Sequence, residues 1–73
     1  SANTMYIMKI KGGAKIPDYM QIRDDNFTLV AYFRADKIEN GLTKFSLMQY
    51  FSEFENIVEK LNFGEMKYIK NID

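Results

Sequence analysis

The chain has 73 residues, 47% of them apolar and 27% charged, with ten basic and ten acidic side chains balancing to zero. That mix belongs to a single folded domain with a thin core, since a chain this short buries only about 60% of its unfolded surface. Cysteine and histidine are absent, which excludes a disulfide framework, ordinary zinc sites, imidazole acid–base chemistry and Ser-His or Cys-His nucleophiles. No apolar run approaches the ~18 residues of a membrane span, and no short apolar core follows a basic start. No membrane segment or signal peptide is therefore expected, and the expected location is cytoplasmic.

Residues 1–4, Ser1-Ala2-Asn3-Thr4, read as an expression scar ahead of a native start at Met5 or Met8. Residues 5–73 then form a single α+β domain. Met5 to Lys11 predicts a strand: Tyr6, Met8 and Ile10 make one apolar face, while Met5 and Ile7 share the other with Lys9 and Lys11. Gly12-Gly13 ends it, and Pro17 suits the entrance of a strand rather than its centre. The next two strands form a hairpin. Arg23-Asp24-Asp25-Asn26 has the composition of a type I turn, with Asn26 as the left-handed residue. That turn predicts Ile22 opposite Phe27, Met20 opposite Leu29, and Ile16 near Phe33, all on one face with Ala31. The second face receives Tyr19, Gln21, Arg23, Thr28, Val30, Tyr32 and Arg34. A slip of one residue would mix the two sets, so the pattern is expected to specify the register strongly.

Asp36 and Glu39 have capping-box spacing, and Asn40-Gly41 is placed to close a single helical turn. Ser46 and Gln49 predict a second capping box at the start of the main helix, with Phe45 and Tyr50 as its hydrophobic staple. Leu47, Phe51, Phe54, Val58 and Leu61, widened by Tyr50 and Ile57, form its core-facing stripe. Gly64 is expected to end the helix in a left-handed cap, and Met66 to Ile72 to form a last strand. The sum is β-β-β-α-β, a small, mostly antiparallel sheet with one amphipathic helix on one face. A parallel return to the sheet through that helix would be right-handed. Lateral strand order carries no signature.

Few residues suggest chemistry. Asp24 and Asp25 are adjacent on a turn, where side chains diverge, whereas a proton-sharing dyad needs them to converge. Gly12-Gly13-Ala14-Lys15 lacks the following Ser or Thr and the helix of a phosphate-binding loop. Ser46 and Ser52 have no nucleophile context. An enzyme would require at least two of Asp18, Asp36, Glu39 and Lys44 to meet in one pocket. The expectation is a non-catalytic protein with no cofactor and no metal. Phe27, Phe33, Phe51 and Phe54 read as core.

The second hairpin face is the suggestive feature. Tyr19, Arg23, Tyr32 and Arg34 are candidate binding residues, because amphipathic rings and guanidinium groups are enriched at protein interfaces. The same residues also suit a plain solvated sheet, or stacking on unpaired bases. Lys9, Lys11, Lys15, Arg23 and Arg34 outnumber Asp18, Asp24 and Asp25 over residues 5–35, whereas Glu53, Glu55 and Glu59 outnumber Lys60 over residues 46–62. The sheet side is thus mildly basic. A pI of about 6.2 and the lack of a Gly-Phe-x-Phe segment argue against a dedicated nucleic-acid binder. The leading expectation is a protein-interaction or regulatory module, probed first as a homodimer. The alternative is a weak single-stranded nucleic-acid binder using this face with Lys9 and Lys11.

Overall fold

A computed structural model describes residues 2–72. Its elements are β1 (Ala2–Ile10), β2 (Tyr19–Arg23), β3 (Leu29–Arg34), α1 (Ile38–Lys44), α2 (Phe51–Lys60) and β4 (Met66–Ile72). Single 3-10 turns at Ala35–Lys37 and Met48–Tyr50 lead into the two helices. The four strands form one antiparallel sheet in the order β3-β2-β1-β4. This is the α+β class that the alternation predicts. The helical connection carries the chain from one edge of the sheet to the other, and β4 returns antiparallel to β1, so there is no parallel crossover. β1 begins at Ala2 rather than Met5, and residues 2–4 pair with the far end of β4.

The core sits between the helices and one face of the sheet. Ala31, Ile22 and Ile7 form one transverse row of that face, and Phe33 and Met20 lead the next. With Leu42 of α1 and Phe54 and Ile57 of α2 they make up the buried cluster. Leu47, Tyr50, Phe51, Val58 and Leu61 pack around it, so the helical stripe faces inward as its spacing requires. Lys9 shares this face, across from Met20. Its Nζ donates to the Val58 carbonyl at 2.7 Å and lies 4.9 Å from the centre of the Phe63 ring. The lysine thereby satisfies a carbonyl in the last turn of α2, where a cation is favoured.

The hairpin keeps its facing over Tyr19–Arg23 and residues 31–34, but its register changes and Leu29 and Phe27 move to the other side. The turn runs from Asp24 to Phe27, whose N–H donates to the Asp24 carbonyl at 2.9 Å. Asp24 Oδ1 accepts from the N–H groups of Asn26 and Thr28, both at 2.9 Å. The left-handed residue is therefore Phe27, at φ 63°, and not Asn26. A side chain there costs about 1–2 kcal/mol, offset by contacts of the ring with Arg23 and Tyr6. Val30 is then left without a partner as a bulge between the pairs Arg23–Leu29 and Ile22–Ala31. Met20 consequently faces Phe33 instead of Leu29. The displacement is even, which is why Met20, Ile22, Ala31 and Phe33 still share one face. Leu29 and Phe27 leave the core, and Ile16 lies in the exposed loop.

The helical region departs further from expectation. Residues 38–44 form a true second helix instead of a single turn. Ser46 is not an N-cap, and neither helix has a side-chain cap. Ser46 instead takes φ 60° in the motif that closes α1. Its N–H donates to the Thr43 carbonyl at 3.2 Å, and that of Leu47 donates to Leu42 at 2.7 Å, the bond pair of a Schellman ending. Asp36 does not cap either, because its carboxylate is held by Arg34. Gly41, inside α1, is buried against Phe33, and a Cβ there would fall within the ring. This glycine serves close packing rather than helix termination. α2 ends at Lys60, with Leu61 extended. Gly64, at φ 82°, belongs to the following turn, Asn62–Glu65, at the position where type II turns need glycine.

Candidate functional site

Both helices lie on one side of the sheet, and among the described residues nothing covers the other. The ladder sets its residues in transverse rows. Arg34, Tyr19 and Ile10 form one, followed by Tyr32, Gln21, Met8 and Met66, and then by Leu29, Arg23, Tyr6 and Tyr68. Thr4 and Lys70 close the face beyond Tyr6 and Tyr68. All four residues expected to bind, Tyr19, Arg23, Tyr32 and Arg34, stand on this face.

They do not form one cluster. Tyr19 and Tyr32 are paired, with ring centres 6.1 Å apart and planes tilted by 39°. Tyr32 is 60% exposed. Arg23 belongs to the opposite end. Its guanidinium lies 4.9 Å from the Phe27 ring centre and donates to the Phe27 carbonyl at 3.2 Å. Its Nε is shielded and has no hydrogen-bond partner among the described residues. Phe27 meets Tyr6 edge-on at 5.6 Å, and Tyr6 meets Tyr68 at 6.4 Å. An aromatic line therefore runs from the hairpin tip across β1 to β4.

Arg34 turns to Asp36 and donates through Nε and Nη2 at 2.9 and 2.7 Å. This bidentate pair holds the Asp36 carboxyl below its ordinary value and the Arg34 guanidinium above its own. Both arginines are thus engaged within the chain, which weakens them as phosphate anchors. Lys9 lies on the opposite face with its ammonium committed to Val58, so it cannot serve the open face as the nucleic-acid alternative requires. Thr28 sits in the exposed turn.

Tyr6, Tyr68 and Met66 enter the site without having been singled out from the sequence, and Phe27, expected in the core, joins them with its ring exposed. The period-two spacing of Tyr6, Met8 and Ile10 and of Met66, Tyr68 and Lys70 was visible, but the facing of these strands depends on β1–β4 pairing. Asp18 and Asp36 do line one depression of about 470 Å³, together with Lys9. Each is occupied structurally: Asp18 Oδ1 accepts from the Gly12 N–H at 2.8 Å, and Asp36 is paired with Arg34. Among the described residues no group of three or more metal-ligating side chains comes together, and no helix is long and apolar enough to cross a membrane. In comparisons with known proteins the chain matches no family model, no curated protein and no solved structure.

Proposed function

We propose that this protein is a small cytoplasmic, non-catalytic interaction module that self-associates through the open face of its sheet. One observation carries the reading: a whole sheet face without a second layer, bearing Tyr6, Tyr19, Tyr32 and Tyr68 with Phe27 and Met66. Packed domains cover both faces of a sheet or leave the outer one polar. Here the outer face is aromatic, with Tyr68 as exposed as Tyr32. Tyrosine and methionine are the types enriched at the centre of protein interfaces, and a twofold contact uses one such patch twice.

The test is the solution mass by light scattering at low and high salt. A dimer in both is the expected outcome, weakened at least about tenfold by Tyr32→Ala with Tyr68→Ala, equivalent to about 1.4 kcal/mol. A monomer at high concentration, with the tyrosine rings freely mobile by NMR, would sink the reading. Weak binding of single-stranded nucleic acid is the second reading, favoured by the tilted Tyr19–Tyr32 pair as a stacking platform. It requires salt-sensitive oligonucleotide binding that Tyr32→Ala abolishes, and retention indifferent to salt removes it.

A further inference from the structure

A second surface lies at the edge of the sheet, where β3 runs beside α1. β3 has β2 as its single neighbour. Ala35 donates to the Asp18 carbonyl at 2.8 Å, continuing the β2–β3 ladder, so Phe33 and Ala31 turn their hydrogen-bonding groups toward β2. The alternation of an antiparallel ladder then directs the N–H and C=O of Tyr32 and Arg34 outward. Natural edges are blunted with proline, lysine or bulges. β3 contains neither proline nor lysine, and its bulge at Val30 lies at the hairpin end, before this stretch.

The flank of this edge is basic. Lys37, Gly41 and Lys44 recur at helical spacing and face Tyr19, Tyr32 and Arg34 across a groove of about 250 Å³. Gly41 permits the close approach of α1 to β3 that shapes the groove. Among the described residues no carboxylate lines it. Arg34 is matched by Asp36, so Lys37 and Lys44 supply the excess positive charge. They stand roughly 10 Å apart along the helical path, a span that carboxylates two to four residues apart on one face of an extended strand would match.

We propose that the β3–α1 groove captures an extended acidic segment of a partner protein as a fifth strand. The outward backbone groups of Tyr32 and Arg34 set its register, and Lys37 and Lys44 select its charge. Tyr19, Tyr32 and Arg34 border this groove as well as the open face, whereas Lys37 and Lys44 belong to the groove alone, so K37E with K44E tests this proposal and Tyr32→Ala with Tyr68→Ala tests self-association.

The probe is a fluorescein-labelled peptide of alternating glutamate and valine, titrated with the full chain and read by anisotropy. Saturable binding is expected, weakened at least about tenfold by K37E with K44E, a loss of about 1.4 kcal/mol. Both lysines are exposed, and an unchanged circular dichroism spectrum verifies that the variant is folded. N-methylation of one alternate set of peptide residues is expected to abolish binding, while methylation of the other set leaves it, because only one set faces β3. Three outcomes would overturn the proposal. They are no saturable binding, equal tolerance of both methylation patterns, or a chain dimer that excludes the peptide and is itself weakened by K37E with K44E, which places a second copy on this edge.

Discussion

The two faces of the sheet are built from the same strands but are held in different ways. On the helix side, Ile7, Met20, Ile22 and Phe33 sit under α1 and α2 with almost no exposure. Their contribution is burial, non-directional and large. On the open side the contacts are ring against ring and guanidinium against ring, each worth about 0.5–1.5 kcal/mol. They leave most of Tyr32 and Tyr68 in solvent. One face therefore holds the fold together, and the other is available for use. The contrast also shows how little a residue's charge says about facing: Lys9 lies on the core side, half-buried, with its head on a helix carbonyl.

The sharpest way to break that contrast is Phe54→Ala. Removing a fully buried ring is expected to cost about 3–5 kcal/mol, comparable to the whole stability of a domain this small. Thermal melting by circular dichroism should find the variant largely unfolded. Next in size is Gly41→Ala. The added methyl meets the Phe33 ring, and overpacking of this kind costs about 1–3 kcal/mol; urea denaturation should show a lower midpoint with unchanged slope. A midpoint equal to the parent's would mean that α1 does not press on β3 as described.

On the open face, Tyr19→Ala with Tyr32→Ala should change monomer stability by less than about 1.5 kcal/mol. If urea unfolding of this variant were as damaged as that of Phe54→Ala, the open face would be structural after all. The smallest effect concerns the Arg34–Asp36 pair. Its carboxylate titrates low because it accepts two bonds from the guanidinium. A depressed folded value means that the stabilisation is present above the unfolded-state pKa and disappears as pH falls through the folded one. Since both groups are exposed, the stability change will be slight. The direct readout is the carbon chemical shift of Asp36, which should titrate below the usual carboxylate range and return toward it in Arg34→Ala.

The α+β class and the facing of the hairpin beyond its bulge were legible in residue order because they depend on period alone, whereas Phe27 and Leu29, before it, changed sides. Tyr19, Tyr32 and Arg34 share a face under any register that moves by an even step, so the error of four residues at Met20 left that set intact. The turn was misplaced because Asn26 is the better left-handed residue in isolation. Phe27 occupies the position through contacts with Tyr6 and Arg23, which lie outside any local window. Ser46 misled for the opposite reason. A serine three residues before a glutamine signals an N-cap locally, yet residues 38–44 were already helical and needed an ending there. Tyr6 and Tyr68 were beyond reach, since their meeting depends on which strand β4 joins.

The ladder between β1 and β4 joins residues separated by nearly the whole chain. The β2–β3 hairpin closes within a few residues, and the two helices are local. Loop-closure entropy then orders the assembly: hairpin and helices form early, and β4 docks late. Under partial destabilisation β4 should also be the first to leave, with amide protons of Met66 to Lys70 exchanging well before those of Met20 and Ile22. Its departure would strip Tyr68 and Met66 from the open face while the Tyr19–Tyr32 pair stayed in place. Two of the six open-face side chains, Tyr68 and Met66, would therefore answer to a folding equilibrium, and the other four would not.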